Sequence, residues 1–274
     1  MLRLNDIDVR PAHRGEFRVL VAARRTGLGQ LRAYLAADLL RRWSERTGLA
    51  PTLIDLSPDG EPELRAACAD LNIHPPRHTL TPPVTTDQLA GQFPDGVREP
   101  VFDVGVAGSG EPAEPTVEAL ASHWIETAAG DGTGTTAGSL VAPEEEPLSV
   151  RYHLLRHGYG ERLRNDADPG GAELARWREL VARWAQSPSG AMSPPYEEAI
   201  TAAFADDLDT PAALGTLAAL ADDPAVPDGV KFETFAAADR LFGLDLARDV
   251  GRLSPTQRML CMQRRFATYR RSDA

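Results

Sequence analysis

The alternation of apolar and polar positions is sharpest between residues 17 and 56. Phe17-Arg-Val-Leu-Val-Ala22 is short, apolar and β-branched, and it runs into Ala23-Arg-Arg-Thr-Gly-Leu-Gly-Gln30. From Leu31 the period changes, because Leu31, Tyr34, Leu35, Leu39 and Trp43 fall on one stripe of an amphipathic helix. Gly48 stops that helix, and Pro51-Thr-Leu-Ile-Asp-Leu56 is a second apolar run. Strand, glycine turn, helix and strand make a βαβ unit, which predicts two parallel neighbouring strands in an open sheet. Ligands of such sheets lie beyond the carboxyl ends of the strands, where helix N-termini offer free N–H groups to anions. Residues 22–32 are therefore where chemistry is expected.

Residues 1–16 are a lead-in with one short strand and a turn at Pro11-Ala-His-Arg-Gly15. After the βαβ unit, Ser57-Pro-Asp-Gly60 predicts a turn and Glu61 to Leu71 a short helix. Asn72 to Thr79 is predicted extended, since a residue before proline avoids the helical region. Residues 80–100 are polar and proline-rich, Val101 to Val106 reads as a short strand, and Val117 to Thr127 as a helix carrying Leu120 and Trp124. Gly130 to Gly138 is a glycine–threonine stretch before the acidic Glu144-Glu-Glu146. From Leu148 onward the pattern is helical. The predicted helices are Val150 to His157, Ala172 to Ala185, Tyr196 to Ala205, one opening at Thr210-Pro211, Phe232 to Phe242 and Pro255 to Tyr269. Leu174, Trp177, Val181 and Trp184 form one stripe of the second. Thr210 is read as an N-cap with Pro211 at the first helical position, where its missing N–H costs nothing. The predicted class is α/β: a Rossmann-like parallel-sheet domain over residues 1–147, then an all-α helical bundle over residues 148–274.

Apolar content of 42% and charged content of 25% are those of a globular protein with a well-buried core. The first residues carry no apolar secretory core and no run approaches a membrane span, so a cytoplasmic protein without a membrane partner is expected. Cys68 and Cys261 lie far apart, which argues against a disulfide framework or a cysteine-rich zinc site, and Cys68 reads as a small buried apolar residue. A net charge of −11 opposes an unaided grip on a nucleic-acid backbone, so neither tRNA nor DNA is an expected partner. Arg264, Arg265, Arg270 and Arg271 form a local basic patch, read as a solvated helix end. Lys231 is the single lysine, and every other strong base is arginine.

Gly27-Leu-Gly-Gln-Leu-Arg-Ala-Tyr-Leu-Ala-Ala-Asp38 resembles one segment of the class I aminoacyl-tRNA synthetases. In the branch of cysteinyl-tRNA synthetases and mycothiol cysteine ligases, that segment holds a His-Ile-Gly-His signature, then Gly-Arg-Thr, a short apolar run and an aspartate. Gly29 stands at the signature glycine, Arg32 at the arginine and Asp38 at the aspartate, while Gly27 and Gln30 stand where the histidines belong. Leu71-Asn-Ile73 with Pro75-Pro76, Val101-Phe-Asp-Val104, and Val150 to His157 resemble further family segments in the same order. Asp206-Asp-Leu-Asp-Thr-Pro211 is similar to the family's Asp-Asp-apolar-Asn-Thr-Pro element, with Asp209 in place of asparagine. The resemblance runs from about residue 5 to about residue 265, without the middle of the family's catalytic domain or its extreme C-terminus.

The resemblance implies amino-acid activation, in which a carboxylate attacks the α-phosphate of ATP. Signature histidines and a Lys-Met-Ser-Lys-Ser loop stabilise the charge that develops, and removing such donors removes the effect. Here Gly27 has no side-chain donor, Gln30 has only a neutral amide, and Thr135 to Leu140, where the lysine loop should stand, holds no base. No arginine lies between Arg98 and Arg151. The family's zinc-bound thiolate would fall at Val21-Ala22-Ala23, so zinc is not expected. The expectation is a shortened, degenerate paralogue: a non-catalytic pseudoenzyme that binds or regulates a small molecule or a protein. The alternative is a retooled ligase or transferase that uses ATP or an aminoacyl-adenylate to join an amino acid to a small amine. For the turn itself, one reading is a tight turn packing helix on sheet. The other is a residual anion or nucleotide site built from free N–H groups with Thr26, Gly27, Gly29, Gln30 and Arg32.

Overall fold

A five-stranded, all-parallel sheet forms the frame of the computed structural model, which describes residues 1–22, 28–56, 62–76, 78–80, 83–93, 101–108, 117, 119–128, 146–163 and 170–252. Its strands are β3 (Glu16–Ala22), β4 (Ala50–Asp55), β5 (His78–Thr79), β6 (Phe102–Gly108) and β7 (Ala121–Thr127). A separate antiparallel hairpin, β1 (Leu2–Leu4) and β2 (Ile7–Val9), precedes them. The sheet order is β5-β4-β3-β6-β7. Chain direction across the sheet therefore reverses between β3 and β6, and the crevice at the carboxyl ends of those two strands is where such folds take ligands. β3 pairs with β4 from Glu16↔Ala50 to Val21↔Asp55, and with β6 from Val19↔Val104 to Ala22↔Ala107. The βαβ expectation holds, with α1 (Leu28–Arg46) as the crossover helix. Both central strands are almost wholly buried, as continuous apolar runs in a parallel sheet require.

Strand replaces the expected helix over Ala121–Thr127, the later part of the segment 117–127. Val117, Leu120 and Trp124 have helical spacing, but Ala121 to Thr127 pairs with β6 over its whole length. Tertiary pairing decides, because the segment alternates in burial and the edge of β6 offers a ladder of hydrogen bonds. Gly105 of β6 makes room for it: a Cβ there would lie 2.5 Å from the Trp124 ring.

α2 (Pro62–Asp70) and α3 (Thr86–Gln92) are further helices among the described residues of the first half. Thr85 and Gln88 close α3 with a reciprocal capping box. The second half holds α4 (Pro147–Leu155), α5 (Gly171–Trp184), α6 (Pro194–Ala205), α7 (Thr210–Asp222) and α8 (Asp228–Phe242). The predicted helix Pro255 to Tyr269 lies outside the described residues. One hydrophobic cluster runs from β3 and α1 through Trp43 to Trp177, Trp184, Phe204, Phe235 and Phe242 in the helices. A smaller cluster, with Leu20, Ile54, Phe93 and Phe102, covers the opposite face of the sheet.

A buried charge cluster pins the halves together. Asp38 of α1 accepts from Arg42 Nε at 2.7 Å, from Arg41 Nη2 at 2.8 Å and from Arg151 Nη2 of α4 at 3.0 Å. Arg151 is fully buried, and its remaining donors reach the carbonyls of Leu71, Asn72 and Phe242. Gly243 ends α8 in the left-handed region, and a Cβ there would sit 2.7 Å from the Arg42 guanidinium carbon, so a larger residue would be strained and would displace that guanidinium. Burial alone would raise the Asp38 carboxyl. The His74 ring and the guanidiniums of Arg151, Arg42 and Arg41 outweigh it and hold the group well below the usual carboxylate range.

The cap of α7 differs from the expectation. Asp209, not Thr210, is the N-cap, and its side chain accepts from the Ala212 N–H at 2.9 Å. Thr210 is the first helical residue, and its hydroxyl donates to the Leu155 carbonyl at the end of α4, at 2.7 Å. Proline at the next position allows either reading from sequence, but the buried threonine is taken up by the neighbouring helix.

Two measurements follow. Asp209→Ala is expected to cost roughly 0.5–2 kcal/mol through the lost cap. Thr210→Ala is expected to cost about 1–3 kcal/mol by leaving a buried carbonyl without its donor, both read from urea unfolding. For Asp38 the folded carboxyl titrates below its unfolded value of about 3.9, so its contribution is complete above that pH and fades as pH falls below it. Asp38→Asn should therefore weaken the fold at neutral pH and flatten the acid limb of the stability–pH curve. An acid limb identical to wild type would exclude the role.

Candidate functional site

β3 and β6 end at Ala22 and Gly108, and α1 begins at Leu28 beyond the end of β3. Of the residues expected there, Thr26 and Gly27 lie outside the described residues, as do Arg24 and Arg25. Gly29 sits in the first helical turn with nothing within 4 Å of a Cβ built on it. Gln30 follows and is buried, 6% exposed. The helix opens with no acidic side chain in its first turn, so its N-terminal dipole is not offset there by a carboxylate of its own.

Arg32 points elsewhere. It is 2% exposed, and its guanidinium donates to the carbonyls of Ala128 at 2.5 Å, Glu161 at 2.5 Å and Gly158 at 2.6 Å. These carbonyls belong to the end of β7 and to the loop that follows α4. Ala128 N–H donates in turn to the Tyr159 carbonyl, so the loop lies along the end of the edge strand. Burial lowers the Arg32 guanidinium to about 10, with the Glu161 carboxylate acting against it, so it remains a cation at neutral pH. Arg32 thus fastens the start of α1 to the second half of the chain.

Thr127 was not singled out by sequence reasoning, because the segment was read as a helix. Its buried hydroxyl lies 3.1 Å from the Ala107 carbonyl and 3.4 Å from the Gly29 carbonyl, joining β7, β6 and the first turn of α1. A β-branched residue closing an apolar–polar alternation was the available signal. Cys68 is wholly buried, and burial pushes its thiol up to about 12, the behaviour of an inert apolar residue. His74 is an exposed loop residue whose Nδ1 lies 3.5 Å from Asp38, while His78 lies in β5 and His123 in β7. Among the described residues, no three histidine, cysteine, aspartate or glutamate side chains gather as a metal-ligand set. Thr135 to Leu140 lie outside the described residues.

On the far side of the Arg32 clamp lies a cleft of about 700 Å³ with an acidic lining that includes Glu126, Glu161, Asp206 and Asp207. Its carboxylates are partly engaged: Arg3 pairs with Asp206 at 2.6 Å, and Asp207 accepts from the Tyr159 hydroxyl and the Asn5 N–H. Burial and the Asp207 carboxylate push the Tyr159 phenol up, so it stays a donor.

No protein-family model matches the chain. Over an alignment of 121 residues that covers 41% of its length, the chain is 35% identical to the L-cysteine:1D-myo-inositol 2-amino-2-deoxy-alpha-D-glucopyranoside ligase of Cellulomonas flavigena. The match spans 28% of that ligase. The chain is thus similar in part to a cysteine ligase, in keeping with the synthetase-like branch named from its motifs. No helix among the described residues is long and apolar enough to cross a membrane.

Two substitutions separate the clamp from the turn. Arg32→Ala is expected to lower stability by about 1–3 kcal/mol, since three backbone carbonyls lose a charged donor. Gly29→Ala should leave it unchanged or raise it by up to about 1 kcal/mol, the helix-propensity gain of alanine over glycine. Equal melting midpoints for Arg32→Ala and wild type would show that the clamp carries no load.

Proposed function

We propose that this chain is a cysteinyl-tRNA synthetase-like protein that works as a non-catalytic binding or regulatory partner. The observation that supports the reading is the use made of Arg32. The cation that the family motif places after the signature is held by three backbone carbonyls, and beside it Gly29 and Gln30 offer no ionisable donor. Phosphoryl chemistry of this kind depends on preorganised charge at the transferring group, and neutral donors supply much less of it. What persists is the set of N–H groups at the start of α1, which favours an anion. The proposed residual site is therefore Thr26, Gly27, Gly29 and Gln30 around a phosphate or nucleotide, with Arg32 acting on the helix start and at longer range. In this reading residues 1–147 form the binding domain, residues 148–274 the supporting bundle, and the protein is cytoplasmic.

A second reading is supported by the partial likeness to a cysteine ligase. The chain would then be an ATP-dependent aminoacyl ligase or aminoacyl transferase acting on a small amine. Exchange of labelled pyrophosphate into ATP separates the two. The first reading predicts no exchange with cysteine or any other standard amino acid, together with weak, salt-sensitive ATP binding by calorimetry that Gly29→Val abolishes. Robust exchange with any one amino acid would overturn it in favour of the ligase.

A further inference from the structure

Gln30, in the first turn of α1, is a polar side chain whose surroundings leave it unanswered. It is 6% exposed, yet its amide makes no hydrogen bond with a described residue and keeps a narrow opening to solvent. The indole nitrogens of Trp43 and Trp177 also lack partners, but both are sealed in the core. A buried amide without a partner forfeits the hydration it had in the unfolded chain, so its retention calls for an explanation outside the fold. Helical side chains lean towards the N-terminus of their own helix. From the third residue of α1, the amide therefore lies towards the helix start, where the N–H groups of residues 28–31 have no intrahelical partner. Amide and N–H groups converge on one place beyond the end of β3.

That place is short of fixed charge. No residue from Leu28 to Leu31 is ionisable. Arg32, the next residue, spends its guanidinium on the carbonyls of Ala128, Gly158 and Glu161. The helix start contributes the equivalent of about half a positive charge, and the chain as a whole carries −11. We propose that this site selects a singly charged oxyanion over a polyphosphate, with Gln30 as the residue that sets the choice. The inference rests on the residual anion site at the start of α1 and names the ligand class of that site. Anionic oxygens accept from the helix N–H groups and from Gln30 Nε2, while Gln30 Oε1 accepts from a hydroxyl or amine beside the charged group. Each further negative charge would shed water without meeting a cation. A neutral site of this kind departs from a cation-lined phosphate site, in which affinity rises with every added charge.

Calorimetry in magnesium-free buffer compares the methyl diester of AMP, AMP itself and ATP, which share adenosine and differ in charge. The diester is expected to bind at least as tightly as ATP. Gln30→Met, close in shape but without a hydrogen-bonding amide, should weaken the diester roughly tenfold. Its melting midpoint should equal that of wild type or exceed it, since no bond of the fold is lost. Gln30→His should keep the wild-type order at about pH 8 and favour ATP at about pH 5.5, where the imidazolium supplies the missing charge, while wild type keeps one order at both. ATP bound more tightly than the diester by wild type would overturn the selectivity and leave the anion site in place. No binding of any of the three would remove the anion site, and the inference with it. A lower melting midpoint for Gln30→Met would assign Gln30 to the fold and overturn its part in choosing the ligand.

Discussion

Asp38 carries a full negative charge in a place that water does not reach, and the arrangement of the chain follows from how that charge is met. An isolated buried carboxylate costs several kcal/mol, so it persists only with partners of good geometry. Two of those partners, Arg41 and Arg42, come from the next turn of the same helix, while Arg151 comes from the first helix of the second half. Arg151 in turn needs the carbonyls of Leu71, Asn72 and Phe242, which fixes the loop after α2 and the end of α8. One buried carboxylate thereby sets the seating of the helices against the sheet.

The same economy explains the candidate site. Two ionisable side chains of this segment, Arg32 and Asp38, both work on the framework. Arg32 ties α1 to the loop 158–161, and Asp38 ties it to α4. Gln30, beside Gly29 in the first turn of α1, is a buried neutral amide. An arginine or aspartate at a motif position is therefore compatible with two different jobs, and only its partners tell them apart.

Much of this frame was legible in the sequence. The βαβ unit, the strand at Phe102 and the described helices of the second half rest on their apolar patterns, and each lies close to where its apolar stripe placed it. Two misreadings share one cause. Ala121 to Thr127 is a strand because β6 stands beside it, and Thr210 is a tether because the end of α4 stands beside it. Neither neighbour is adjacent in sequence, so local spacing and cap preferences had nothing to read. Arg32 illustrates the same limit at the site: its type and spacing suggested an anion partner, whereas its carbonyl partners lie 96 to 129 residues away along the chain.

The central claim is that the charges retained in this segment hold structure together, and a double-mutant cycle between Asp38 and Arg151 tests it most directly. Urea unfolding of Asp38→Asn, Arg151→Met and the double variant would be compared with wild type. Each single change is expected to cost about 3–5 kcal/mol, Asp38→Asn by leaving the buried Arg151 without its carboxylate and Arg151→Met by taking one of three guanidiniums from Asp38, and the double variant should recover part of the sum. Strictly additive losses, or single variants as stable as wild type, would contradict the account.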